Sequence, residues 1–298
     1  MTTSYHIPAL LNETIEALAI KPDGCYVDAT FGGGGHSKAI LEKLNNLGKL
    51  IAFDQDADAV KNTIQDARFQ LINDNFSTLP TYLETASVDG IIADLGISSH
   101  QIDTPERGFS FRYDAPLDMR MNANSQLTAS YVLNHYSLPA LKIIFKQYAE
   151  VSNSTKIAQT IIDVRQRTPF QTTSDLVSAL KPFSPPKHFN RFLAQCFQGL
   201  RIEVNNELEV LQTFLNQTLS ILKPQERLVI LSYHSLEDRI VKTFLKTGNI
   251  NGELERDFYG NILTPWQLVG KQPIIPTEKE IAQNPRCRSA KLRVGIKK

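Results

Sequence analysis

Four consecutive glycines, Gly32–Gly35, stand between a β-type run, Tyr26–Thr30 (YVDAT), and a segment of helical spacing, His36–Asn45, with Ile40, Leu41 and Leu44 on one face. Glycine reaches positive φ without strain and lets a ligand approach the backbone closely, at a conformational-entropy cost that a plain turn need not carry. A strand, a glycine loop and a helix in that order put the loop at the carboxyl end of a strand, where open α/β sheets bind ligands. The segment Asp28–Ser37 (DATFGGGGHS) therefore predicts a ligand loop in an α/β fold.

The rhythm continues beyond the loop. Lys49–Asp54 (KLIAFD), Phe69–Asp74 (FQLIND) and Val88–Leu95 (VDGIIADL) read as strands, and Asp56–Ala67 as a helix with an acidic start that suits the macrodipole. Strands alternating with helices predict a doubly wound parallel sheet. The alternation stops after residue 95. Short helices follow at Tyr131–Leu133, Leu141–Tyr148, Ile157–Val164 and Leu176–Leu180, with a Pro-rich loop at Lys181–His188 (KPFSPPKH). The rhythm then returns with a helix at Glu207–Leu222, a strand at Arg227–His234, a helix at Leu236–Lys246 and a closing strand at Ala290–Ile296. The expectation is a discontinuous sheet domain, 1–102 plus 206–298, around a helical insertion, 103–205.

A chain of 298 residues supports about two domains. Its longest apolar runs are four residues, such as Leu228–Leu231, far short of the ~20 that a membrane-spanning helix needs. The first residues hold no basic region before an apolar stretch, so neither a signal peptide nor a membrane partner is expected. Cys25, Cys196 and Cys287 lack CxxC spacing, which argues against a disulfide framework and structural zinc and points to a reducing cytoplasm. No cluster has metal-ligand spacing, so no metal is expected. The net charge of +1 divides unevenly: residues 1–100 hold 6 Lys/Arg against 13 Asp/Glu, and residues 101–298 hold 26 against 18. Asn284–Lys298 carries six basic side chains and no acidic one. This asymmetry fits an anionic partner for the later part of the chain, or a solvated surface of uneven charge.

The glycine loop does not match the phosphate-cradling pattern GxxxxGK[ST]. The dinucleotide pattern GxGxxG also fails, because its third glycine would be Ser37 counted from Gly32 and Lys38 counted from Gly33. Asp54, twenty residues after Gly34, ends the second strand, where an acid can accept hydrogen bonds from both ribose hydroxyls of an adenosine ligand. Phe76, after the third strand, suits an adenine face or core packing. Asp94, at the end of the fourth, can hold an amino group. A nucleoside without phosphates and with a cationic tail fits these acidic strand ends, and S-adenosylmethionine is such a molecule.

With these residues assembled, the chain resembles the bacterial small-subunit (16S) rRNA cytosine-N4 methyltransferase family over nearly its whole length. The resemblance begins at His6-Ile7-Pro8 and Leu10-Leu11-Asn12-Glu13 and includes DATFGGGGHS, AFDQD (Ala52–Asp56) and DLGISSHQID (Asp94–Asp103). It continues through RGFSFRYDAPLDMRMN (Arg107–Asn122), FQGLRIEVNNEL (Phe197–Leu208), SYHSLEDRIVK (Ser232–Lys242) and NPRCRSAKLR (Asn284–Arg293). It implies a Rossmann-like class I methyltransferase sheet interrupted by a helical domain that helps hold RNA. It also implies S-adenosylmethionine as cofactor and, as acceptor, a cytidine of 16S rRNA in the decoding centre near the P site. Gly34, Gly35 and His36 match the family's cofactor loop, Asp54 its ribose-binding acid and Phe76 the residue beside the adenine. Asp94 and Gln101 match its remaining cofactor contacts. The chain departs at His100, where the family usually has Pro, at Lys156, where it has Arg, and at Gln195, where Arg is frequent.

The exocyclic N4 of cytosine is a weak nucleophile because its lone pair is delocalised into the ring. Hydrogen bonds accepted from its amino protons return electron density to nitrogen. Asp118, Asn205 and His234 are candidates for that task. Each also has a plain structural reading: an ion pair with Arg120 or Arg112, an N-cap of the helix near Glu207, and a histidine fixed at a strand end. Asp94-Leu95-Gly96-Ile97 is not the D/N-P-P-Y-like motif of many amino-directed methyltransferases, so N4 rests on the resemblance alone. The target base must leave its stack, and Arg107, Arg112, Arg120 and the basic tail are candidate phosphate partners. No protein partner is readable. The competing readings are a methyltransferase of this fold acting on another acceptor, a nucleotide-dependent oxidoreductase, and a non-catalytic RNA-binding protein with a nucleoside pocket.

Overall fold

The computed structural model describes residues 8–298, so His6 and Ile7 of the opening motif lie outside the described residues. The chain forms two compact units, one of residues up to Gly96 together with Leu208–Lys298, the other Ile97–Glu207. The sequence places these divisions after 102 and 205. In the structure the first falls directly after the fourth strand and the second at the start of the returning helix.

The first unit is built on a seven-stranded sheet. Its strands are β1 (Cys25–Asp28), β2 (Lys49–Phe53), β3 (Phe69–Ile72), β4 (Val88–Asp94), β5 (Leu222–Ser232), β8 (Trp266–Leu268) and β9 (Lys291–Lys297). A separate two-stranded hairpin pairs β6 (Glu255–Arg256) with β7 (Ile262–Leu263). The sheet order is β3-β2-β1-β4-β5-β9-β8, parallel from β3 to β5 and antiparallel where β9 meets β5 and β8. This is the doubly wound α/β sheet predicted, with β8 added at an edge the sequence reading left empty. Strand β4 is buried along nearly its whole length, as a central parallel strand covered on both faces must be.

Alternate residues of β5 face opposite layers. Val229 and Leu231 join Tyr26, Leu50 and Ile92 under α1 (Leu11–Leu18) and α2 (Gly35–Leu41). Leu228 and Ile230 join Val27, Ile91 and Ala93 against α10 (Glu207–Ile221) and α11 (Ser235–Thr247). The short helices α3 (Leu79–Tyr82) and α12 (Glu278–Gln283) lie in connections.

Two expectations change in this unit, and the closing strand holds. The helix expected over Asp56–Ala67 is only a 3-10 turn, Ala57–Asn62. Asp56 caps its start, Thr63 leaves it in an extended conformation, and the Asn62 side chain donates to the Gly32 carbonyl at 2.9 Å. The segment thus buttresses the glycine loop instead of forming a full helix. Strand β5 begins at Leu222, five residues before the expected Arg227, and accommodates the difference with a register shift opposite Val88 and Gly90. The closing strand expected over Ala290–Ile296 is β9, between β5 and β8, so much of the basic tail is sheet. Lys291 and Arg293 both donate to Asp238, at 2.9 and 2.6 Å, and Lys297 Nζ donates to the Leu222 carbonyl.

The second unit is helical: α4 (Ser99–Asp103), α5 (Ala129–His135), α6 (Leu138–Ile143), α7 (Ser154–Arg165), α8 (Thr173–Leu180) and α9 (Phe189–Asn205). α6 runs into a π-helical turn, Ile144–Tyr148. The 17-residue α9 is absent from the sequence reading, although Leu193, Cys196, Phe197, Leu200 and Val204 follow helical spacing and are buried. Gly199 lets α9 pass close to the π turn's end, since a Cβ there would stand 2.8 Å from the Ala149 Cβ. Among the described residues no helix is long and apolar enough to cross a membrane.

Candidate functional site

The carboxyl ends of β1, β2, β3 and β4 bring the acidic strand-end residues together. Strand β1 ends in Asp28, whose buried carboxylate accepts from Ser37 Oγ at 2.6 Å and from the Thr30 N–H at 3.1 Å. One residue thereby clasps both ends of the glycine loop. Burial raises its carboxyl above the ordinary value, with Ser37 and His36 opposing. Within the loop, the Phe31 N–H donates to the Phe53 carbonyl at 2.9 Å and the Gly34 N–H to the Phe31 carbonyl at 2.8 Å. Gly34 has φ +74°, and a Cβ there would meet the Phe31 ring at 2.9 Å. Gly35 is required for space instead, since its Cβ would lie 2.2 Å from Pro8 Cγ.

Asp54 stands one residue past β2. Its Oδ2 accepts from the Gly32 N–H at 2.7 Å and its Oδ1 from the Asp56 N–H at 2.8 Å. The carboxylate is thus aimed and held by the loop it faces. A carboxylate has about four acceptor positions, so both oxygens keep capacity for hydroxyl donors. Burial pushes this carboxyl up to about 6, against the two backbone hydrogen bonds.

Asp94 closes β4. Its N–H donates to Thr30 Oγ1 at 2.6 Å and its Oδ1 accepts from the Tyr233 hydroxyl at 2.7 Å. The carboxyl is enclosed yet reachable, with 22% of its side chain exposed. Burial pushes it up to about 7, with Tyr233 opposing and Glu237 adding to the rise. Tyr233 is itself raised well above the ordinary phenol value, first by burial and then by Asp94. His36 Nδ1 lies 3.8 Å from Asp94 Oδ2, and burial lowers the imidazole's affinity for a second proton, with Asp28 opposing. Its Nε2 is buried without a hydrogen-bond partner among the described residues. Such an atom costs free energy unless a ligand or water satisfies it.

Phe76 opens the turn after β3 and packs edge-on to Phe214 with ring centroids 5.0 Å apart. Beside it, Asn75 Nδ2 donates to Gln55 Oε1 at 2.9 Å, tying the ends of β2 and β3. Thr30, Tyr233 and Gln55 went unread in the sequence. Tyr233 alone had a signal, because it follows a strand that had to neighbour β4.

His234 caps α11 at the end of β5, with Nδ1 accepting from the Glu237 N–H at 3.4 Å and Nε2 3.1 Å from Glu237 Oε1. Gln101, Asp118 and Asn205 belong to the helical unit. Gln101 is buried in a capping box with Ser98 that starts α4. Asp118 is clamped to Arg120 through contacts of 2.8 and 2.6 Å; burial would raise its carboxyl, but the guanidinium holds it below the usual range. Asn205 does not cap α10. It ends α9, where Oδ1 accepts from the Met121 N–H at 2.7 Å and Nδ2 donates to the Met119 and Arg201 carbonyls at 2.8 Å each. It thereby holds the strained loop at Met119, φ +62°. Of the three arginines, Arg107 donates to the Arg120 and Met121 carbonyls and Arg120 is spent on Asp118, Ala123 and Ser125. Arg112 is exposed.

The crevice suits a nucleoside: a twin acceptor for vicinal hydroxyls at Asp54, close backbone at Gly32–Gly35, and a second carboxylate for a cationic group at Asp94.

Comparison with known proteins agrees. The sequence model of the MraW methylase family matches residues 3–298. Proteins named ribosomal RNA small subunit methyltransferase H are similar throughout. The one from Flavobacterium johnsoniae is 52% identical over 299 residues, covering 99% of each chain. That from Amoebophilus asiaticus is 52% identical over 99% of this chain and 96% of its own. That from Parabacteroides distasonis is 48% identical over 98% of this chain and 97% of its own.

Proposed function

Because the chain belongs to the MraW methylase family, we propose that it transfers a methyl group from S-adenosylmethionine to small-subunit ribosomal RNA, at the exocyclic N4 of a cytidine in the decoding region. The end-to-end similarity to small-subunit rRNA methyltransferases carries this reading. The crevice supports it, because the two ligand carboxylates, Asp54 and Asp94, flank a loop bare of side chains.

When bound, the cofactor supplies an electrophilic methyl on a sulfonium centre. The chain's own groups bind and orient. Asp54 accepts from the two ribose hydroxyls while the Gly32 and Asp56 N–H groups keep it aimed. Gly34 and Gly35 keep the loop free of side chains, and His36, with Nδ1 3.8 Å from Asp94, completes the cofactor loop. Phe76 offers an apolar edge to the adenine. Asp94, ionised, attracts the cationic amino-acid tail, and Tyr233 supports that ionised form. Holding N4 in line with the methyl–sulfonium bond supplies much of the rate, as positioning generally does. The helical unit holds the RNA in this reading, with exposed Arg112 as a phosphate contact and Asn205 and Asp118 shaping the Arg107–Asn122 loop. Its compartment is the cytoplasm.

The test is transfer of tritiated methyl to small ribosomal subunits from a strain lacking the enzyme, followed by nucleoside digestion and mass analysis. Label on the cytidine amino group, lost in Asp54→Ala, is the expected result. Tight cofactor binding without label in subunits or free rRNA refutes the acceptor; label at another position refutes N4.

A further inference from the structure

Among the described residues, the hairpin β6–β7 exposes the most solvent-accessible large hydrophobic side chains, and neither the crevice nor the core uses them. Phe258 is 97% exposed and Tyr259 87%, and the two rings meet edge to face with centroids 5.6 Å apart. Leu254 and Leu263 on the same hairpin are also exposed.

The tip is held by a dense set of hydrogen bonds. Backbone pairs Glu255–Leu263 and Arg256–Ile262 set the register. The Asp257 N–H donates to the Asn261 carbonyl at 2.9 Å and the Gly260 N–H to the Asp257 carbonyl at 3.0 Å. Asp257 Oδ1 accepts from the Tyr259 and Asn261 N–H groups at 2.9 and 2.8 Å, and Oδ2 from Asn261 Nδ2 at 2.9 Å. Arg256 Nη1 donates to the Gly260 carbonyl at 2.7 Å, and Gly260 adopts φ +85°, which favours glycine. These bonds hold the Asp257 carboxyl below its ordinary value. An ordered turn that presents two aromatic rings to water has already lost the freedom that binding would otherwise cost. Exposed aromatic anchors of this kind mark interaction sites.

The surrounding charge selects the partner. Residues 249–263 carry Glu253, Glu255 and Asp257 against Arg256 alone, and both glutamates are exposed. A phosphate backbone would be repelled here, whereas a basic protein with an apolar pocket would be attracted. We propose that the Phe258–Tyr259 hairpin docks onto a basic protein face of the assembled small subunit, so that the enzyme recognises protein as well as RNA. This rests on the rRNA reading above.

The test compares binding of the full-length enzyme to assembled small subunits and to protein-free small-subunit rRNA. The variants are Phe258→Ser/Tyr259→Ser and, separately, Glu253→Lys/Glu255→Lys. All four side chains are exposed, so the fold and cofactor affinity should persist. The aromatic double variant should bind subunits at least about tenfold more weakly, as loss of an interface anchor does, and free rRNA equally well. The charge-reversed variant should also weaken on subunits. An equal loss on free rRNA, or tighter subunit binding after charge reversal, makes RNA the partner and overturns the proposal. Self-association of the wild type that the serine variant abolishes assigns the tip to a second copy and overturns it too. If wild-type enzyme methylates subunits while both variants bind them normally, docking alone is refuted. If the wild type neither binds nor methylates subunits, the rRNA reading fails and docking falls with it.

Discussion

Cofactor affinity should fall steeply on mild acidification, because the pocket binds a cation with two carboxyls that burial makes hard to ionise. Asp94 is pushed up to about 7 and Asp54 up to about 6. Over this range Tyr233 stays protonated and burial disfavours the protonated form of His36, while the two carboxyls titrate. If binding needs both ionised, the competent population is about 45% at pH 7.0 and about 0.7% at pH 5.5. That is a loss of about sixtyfold, or ~2.4 kcal/mol. The α-amino group of the ligand, with a pKa of about 7.7–8.0 in a peptide, remains largely cationic over this range. Calorimetric titration of the enzyme with S-adenosylmethionine at half-unit pH steps reads the effect. Asp94→Asn should bind more weakly but keep only about a fourfold pH dependence, the share of Asp54. Stability of the cofactor-free protein should run the opposite way. Both carboxyls bind protons more tightly folded than unfolded, so their contribution is fully present below about pH 4 and is lost as pH rises through about 6 and 7. A wild-type affinity that changes less than about threefold between pH 7.0 and 5.5 refutes the assignment of ionised Asp94 to the cation.

Tyr233→Phe removes the hydroxyl that donates to Asp94 at 2.7 Å; the midpoint of the affinity–pH curve should move upward, with affinity at pH 8 nearly unchanged by calorimetry. Gly35→Ala places a Cβ 2.2 Å from Pro8 Cγ and should lower stability by about 1–3 kcal/mol, measured by denaturant unfolding. The double change with Pro8→Ala should recover most of that loss. Deleting Lys291–Lys298 removes β9 from between β5 and β8 and should abolish cooperative unfolding, as seen by calorimetry, instead of merely weakening RNA binding.

What could be read from the sequence follows the range of the interactions involved. Strands β1 to β4 were legible within a residue or two because short parallel strands show as short apolar runs, even at the half-exposed edge strand β3. Asp54 and Asp94 were legible because strand ends in a doubly wound sheet converge by topology alone. The helix expected at Asp56–Ala67 failed because tertiary context overrode local pattern: Asn62 turns its side chain to the Gly32 carbonyl, a partner thirty residues away. Helix α9 was not legible, although its spacing was present, because it starts directly after the Pro-rich Lys181–His188 segment, whose composition reads as loop. The N-cap reading of Asn205 failed for a related reason. The residue does make capping-like side-chain bonds, but to Met119 and Met121, over eighty positions earlier in the chain.

The charge asymmetry shows how far composition can be taken. Six basic side chains in Asn284–Lys298 looked like an arm for an anionic partner. At least three of them are used internally, since Lys291 and Arg293 neutralise Asp238 and Lys297 closes on the Leu222 carbonyl. Two of the three arginines offered as phosphate contacts, Arg107 and Arg120, are likewise spent on carbonyls and on Asp118. The excess of positive charge is real, but its sequence position does not say which groups face solvent. Partner recognition therefore has to be sought in groups the fold leaves outward. Arg112 fits a phosphate, while Phe258 and Tyr259 on their carboxylate-flanked hairpin fit a basic protein, and salt should weaken both contacts while acting on different components of the substrate.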